Sequence, residues 1–154
     1  MMGCLCLAVG LSFLRVFGFL TDPLLSPRQI QQVIGEPARI ERTATDSLKV
    51  VTWNIEQGLE YEAILSELRS LDADIILLQE VDRYCRRTGY RHVARDLAEA
   101  LDLNWIAAGE FQEIGEGRAA TPALTGQAIL SKFRIDRAEA LRFTAQDRWR
   151  WSKT

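Results

Sequence analysis

Between Leu48 and Ala108 the spacing of apolar residues changes repeatedly, and that alternation restricts the fold more than any other feature of the chain. Leu48-Lys49-Val50-Val51-Thr52-Trp53 is β-branched and aromatic, which predicts a strand that ends at Asn54-Ile55-Glu56-Gln57-Gly58, with the glycine marking a turn. Ile64, Leu65, Leu68 and Leu71 then recur at helical spacing over Glu60 to Leu71. Ile75-Ile76-Leu77-Leu78 is an apolar run short enough for a buried strand, and it stops at Gln79-Glu80. Val93, Ala94, Leu97, Ala98 and Leu101 predict a second amphipathic helix, followed by a strand over Asn104 to Ala108. A β-α-β-α-β order of this kind reads as an α/β fold. Beyond it, Glu110 to Thr125 reads as a loop of glycine and small residues, and Gln127 to Ser131 with Arg137 to Phe143 as a hairpin.

With 154 residues, a formal charge of -2 and 47% apolar residues, the chain has the composition of one globular domain and not of a basic nucleic-acid coat, so any polyanion site must be local. Residues 48–154 are expected to form that domain. Residues 1–20 form an apolar segment, broken only by Ser12 and Arg15 between Gly3 and Leu20. It has the length of a signal-peptide core, but no basic residue precedes it and Arg15 would be unpaired in a bilayer. Export or membrane contact through residues 4–20 is thus balanced against a cytoplasmic chain with a buried helix or a misassigned start. Residues 21–47, with Pro23, Pro27 and Pro37, read as a linker with a helix-compatible piece from Arg28 to Ile34. Cys4, Cys6 and Cys85 make neither an even disulfide set nor a zinc cluster.

Two strands joined by a right-handed helical crossover run parallel, so Asn54 and Glu80 should emerge at the same carboxyl edge of the sheet, where open α/β sheets bind ligands. An amide oxygen beside a carboxylate suits a hard cation, because magnesium takes one or two carboxylates and fills its shell with water and phosphate oxygens. Glu56 would add a second carboxylate on the same side of an extended chain. The plainer alternative is that Asn54 and Glu56 shape a turn while Glu80 caps a helix. Arg86 and Arg87, within the cluster Arg83 to Arg91, could hold phosphate oxygens in bidentate fashion or form a solvated basic turn. Cys85 with His92 lacks an orienting third group, so a thiol-base pair is disfavoured. Trp149 and Trp151, interleaved with Arg148 and Arg150, are compatible with base stacking or with covering another part of a fold.

The segments Val51-Thr52-Trp53-Asn54-Ile55, Ile76-Leu77-Leu78-Gln79-Glu80-Val81-Asp82 and Gly126-Gln127-Ala128-Ile129-Leu130-Ser131-Lys132-Phe133 together resemble, in order and spacing, the endonuclease/exonuclease/phosphatase superfamily. The resemblance covers Leu48 to about Phe143, with Gln127 where many relatives carry Asn. It implies the first half of a four-layer, deoxyribonuclease I-like α/β sandwich, with helices on one outer face and an apolar inner face. It also implies phosphoester hydrolysis with Mg2+ or Mn2+, Glu80 as metal ligand, Glu56 where some relatives place a metal-linked Asp, and Asn54 orienting phosphate or metal. The substrate could be nucleic acid, phospholipid or a small phosphoester. The family's second half normally supplies an Asp-x-Asn motif and a late Asp-His pair, and neither follows the third motif here. The expectation is therefore an amino-terminal half that lacks its carboxy-terminal partner and is inactive alone, or a non-catalytic remnant of the same fold.

Overall fold

The computed structural model describes residues 24–36, 47–118 and 121–141. The apolar segment 1–20 and the tryptophans near the end of the chain lie outside them. Among the described residues no helix is long and apolar enough to cross a membrane.

Five strands, β1 (Ile34–Glu36), β2 (Val50–Gln57), β3 (Ile75–Arg83), β4 (Asn104–Gln112) and β5 (Leu124–Ser131), form one mixed sheet in the order β1-β4-β5-β3-β2. Only β2 and β3 are parallel; the other pairings are antiparallel. The parallel pair is joined by helix α2 (Tyr61–Leu71), as the crossover argument requires. Helix α3 (Val93–Leu101) precedes β4, and a short helix α1 (Pro27–Ile30) is closed by a capping box between Ser26 and Gln29. The α/β class read from the sequence is the observed one.

Ile64, Leu65 and Leu68 of α2 and Val93, Ala94, Leu97 and Ala98 of α3 share one core with Ile55, Ile76, Leu78, Val81, Trp105, Ala128 and Leu130 of the sheet. Both helices therefore cover the same face. Each ends on an aspartate in the left-handed conformation, Asp72 and Asp102, whose backbone N–H returns to the last helical turn. The opposite face carries Thr52, Leu77, Gln79, Ile106, Ala108, Gln127 and Ile129. Residues 135–141 pass beside it without regular structure and leave a groove of about 710 Å³.

Several boundaries differ from the expected ones. β3 continues past Glu80 to Arg83, and β4 continues to Gln112, because Asp82, Arg83 and Gln112 all find ladder partners on the first residues of β5. The Glu110 to Thr125 loop is shortened accordingly. β1, inside the stretch read as a linker, pairs with β4, and Gly35 permits the contact because a Cβ there would lie 2.2 Å from the Trp105 carbonyl oxygen. Arg137 to Leu141 is not a strand, and the rest of that expected element lies outside the described residues.

Candidate metal and phosphate site

The two parallel strands are in simple register from Val50↔Ile75 to Asn54↔Gln79 and then both bulge before pairing again at Gln57↔Val81. Glu56, Gln57 and Glu80 take up the extra length with positive φ values of 48, 62 and 52 degrees. Such bulges redirect side chains at the ends of strands. The result is a convergence at one sheet edge: the Asn54 amide donates from Nδ2 to Glu80 Oε1 at 2.8 Å, and the Gln57 amide donates from Nε2 to Glu80 Oε2 at 2.5 Å. Asn54 Oδ1 in turn accepts the Glu56 backbone N–H at 3.0 Å, which fixes which end of that amide faces Glu80. Glu80 is solvent-exposed, yet both of its oxygens are held.

The structure thus brings Asn54 and Glu80 into contact. It does not keep Glu56 on an extended chain beside them: at φ 48 degrees the backbone leaves the strand conformation there, and the exposed Glu56 carboxylate stands next to the turn and does not alternate with Asn54. Gln57 was not singled out by sequence reasoning. Its contact with Glu80 depends on the double bulge, and the only local signal for that irregularity is Gly58, which follows at φ 84 degrees and packs so closely on Val93 that a Cβ would lie 2.7 Å from its methyl carbon.

Arg86 and Arg87 separate. Arg86 is 66% exposed and pairs with Glu116 at 3.2 Å. Arg87 turns inward and grips Asp82 through Nε at 2.8 Å and Nη2 at 2.7 Å, and Nη2 also reaches Glu113 Oε1 at 3.0 Å. The Asp82 side chain has no exposed surface, and the Thr125 hydroxyl donates to it at 2.6 Å. Arg87 is therefore engaged as a counter-charge to Asp82 and Glu113, where Arg86 points to solvent. The two carboxylates hold its guanidinium proton more firmly than usual.

Cys85 and His92 do not form a thiol-base pair. Burial, reinforced by Asp82, pushes the Cys85 thiol up to about 12, and its Sγ lies 3.6 Å from the Leu124 carbonyl oxygen. His92 is buried against Tyr84 and Trp105, and its Nδ1 accepts the Arg95 backbone N–H at 3.3 Å. Asp102-Leu103-Asn104, an Asp-x-Asn tripeptide lying before the third motif, sits at the far end of the sheet. Asp102 caps α3, and the Asn104 amide donates to the Phe133 carbonyl oxygen at 2.9 Å. Asn104 is level with Ser131 and Ile75, whereas the Asn54 site is level with Gln79 and Gln127.

Among the described residues no three His, Cys, Asp or Glu side chains converge as a ready cage. At the bulge the Glu80 carboxylate is held by two amide nitrogens, the Asn54 amide oxygen accepts the Glu56 N–H, and the exposed Glu56 carboxylate lies in the adjoining turn, so the groups open to a cation at this solvent-facing edge are hard carboxylate oxygens. That set fits a cation such as magnesium, which retains most of its water, better than one needing a closed thiolate or imidazole shell.

The family described as Endonuclease/Exonuclease/phosphatase matches residues 51–153, a span that begins inside β2 and includes both bulged strands, the two main helices and β5. Neither the curated proteins nor the solved structures contain a match to the chain. On the match over most of its length, the chain belongs to the endonuclease/exonuclease/phosphatase family, whose members are phosphoester hydrolases.

Proposed function

We propose that the chain carries the cation-holding part of a divalent-metal-dependent phosphoester hydrolase. Glu80 is the metal ligand and Glu56 a second, outlying carboxylate. Asn54 orients the phosphate or metal, and Arg86 is the accessible phosphate-binding arginine. The single observation that carries the reading is the Asn54–Glu80 hydrogen bond at the bulged carboxyl edge of two parallel strands. A bound Mg2+ or Mn2+ would neutralise phosphate charge and acidify a water molecule. The chain's own contribution is positional: the Asn54 amide is held by the Glu56 N–H, so it holds Glu80 in one orientation before a ligand arrives. The substrate is a phosphoester of nucleic-acid, phospholipid or small-molecule type.

A second reading, a non-catalytic binding remnant, is favoured by a separate observation. The only histidine, His92, is buried in the core and does not face the site. Metal-assisted hydrolysis needs a charge stabiliser and an activated nucleophile as well as a cation, and the bulge supplies only the cation's ligands.

Magnesium titration calorimetry tests the assignment. The 154-residue chain should bind magnesium weakly, and Glu80→Gln should weaken binding by at least about tenfold. Unchanged affinity in that variant would remove Glu80 as ligand. Manganese-dependent hydrolysis of bis-nitrophenyl phosphate tests the non-catalytic reading from one side, since turnover would exclude it. We expect none from this chain alone, so turnover abolished by Glu80→Ala would show the site to be self-sufficient.

A further inference from the structure

Gln57 occupies a backbone position that opposes its own side chain. At φ 62 degrees a glycine would sit without steric cost, and the next residue is in fact Gly58 at φ 84 degrees. Left-handed non-glycine residues cost energy and persist where the surroundings enforce them, so a long amide here calls for an explanation in what the side chain does. Its Nε2 donates to Glu80 Oε2 at 2.5 Å, on the oxygen that Asn54 leaves free. Two amides, on opposite sides of the β2 bulge, therefore hold the two oxygens of one exposed carboxylate. An exposed glutamate otherwise samples many rotamers and must give them up on binding a cation. Each carboxylate oxygen has a further lone pair after accepting one hydrogen bond, so the clamp leaves ligand capacity outward.

We propose that Gln57 is a positioning residue for the divalent cation, one that pre-orders Glu80 by completing a two-amide clamp with Asn54. The inference rests on the reading of Glu80 as metal ligand. It adds a residue at which this chain uses local backbone strain to orient that ligand.

Manganese binding to the 154-residue chain, followed by loss of the free-ion electron paramagnetic resonance signal, gives the test. Gln57→Gly removes the amide and relieves the backbone strain, so it should fold at least as well, by thermal circular dichroism, as the parent chain. It should nevertheless bind manganese about three- to tenfold more weakly, the cost of ordering one freed side chain. Gln57→Leu, which keeps the backbone strain and deletes the amide, should match it. Manganese affinity equal to or tighter than the parent's in both variants would overturn the proposal, since the amide would then be idle or competing with the cation. The Glu80→Gln variant, measured alongside, distinguishes the two failures. If it binds manganese like the parent, the ligand assignment itself is wrong; if it binds weakly while both Gln57 variants do not, only the clamp is wrong.

Discussion

Asp82 is a carboxylate with no exposed side-chain surface, two residues beyond the exposed Glu80, and the contrast shows how one strand serves two purposes. The bulge at Glu80 shifts the alternation, so Val81 enters the apolar core and Asp82 meets Arg87 and Thr125. A buried ion pair contributes little net stability compared with an apolar replacement, but breaking it from one side leaves an unpaired charge. Arg87→Leu should therefore destabilise the fold by about 3 to 5 kcal/mol in urea denaturation, while Arg86→Leu, whose side chain is exposed, should cost under about 1 kcal/mol. Equal effects of the two would contradict the inward placement of Arg87. The residues legible in the sequence were those whose position follows from strand direction alone. Asn54 and Glu80 end parallel strands joined by a helix, so their proximity needs only chain topology. Gln57 and the Asp82–Arg87 pair were not legible, because each depends on a bulge or a turn that re-aims side chains over a few residues, and apart from Gly58 residue type carries no signal for that.

Among the elements, α2 and α3 were legible nearly to the residue because their apolar spacing is set by the single face they bury. Strands β3 and β4 outran expectation because their ends are set by partners on β5, which are distant in sequence. The start of α3 has a distinct chemistry, since its N-cap is His92 and not a hydroxyl or amide residue. Nδ1 must be unprotonated to accept the Arg95 N–H, and burial, with the nearby Arg83 and Arg95 cations, lowers the imidazole to about 4. The native state thus binds this proton less readily than the unfolded chain, whose histidine titrates near 6.5. Stability from this residue is complete above about pH 6.5 and is lost as pH falls towards 4, by an amount on the order of 3 kcal/mol. Denaturation midpoints measured between those limits should fall more steeply in the parent than in His92→Asn, which retains a capping acceptor without a titrating ring. Parallel pH profiles would show that the imidazole does not govern this range.

For the whole molecule, the decisive asymmetry is between the two faces of the sheet. One face is sealed by α2 and α3. The other presents Leu77, Ile106, Ala108 and Ile129 beside Thr52, Gln79 and Gln127, with Ile129 still 37% exposed although residues 135–141 run alongside. Gln79 and Gln127 lie towards the Glu80 end, level with Ala108, and Gln79 donates to the Thr52 hydroxyl at 3.1 Å; Leu77, Ile106 and Ile129 lie one step further in, level with Thr52. An apolar face opposite the helices is the expectation from the sequence; the polar residues set among its apolar ones follow from strand register, which single residues do not signal. Contiguous apolar surface of this kind drives association when it is not covered. The 154-residue chain should therefore show a concentration-dependent rise in mass by size-exclusion chromatography with light scattering, from low to high micromolar protein. Ile129→Lys should suppress it, because a charge on that face must be desolvated for two copies to meet, whereas in a single copy the ammonium group can reach water from a partly exposed position. Leu59→Lys is the matched control: Leu59 is 47% exposed, lies in the turn after the bulge and should leave association unchanged. A parent chain that remains monomeric throughout, or a Leu59 variant as effective as the Ile129 one, would assign the open face no part in association.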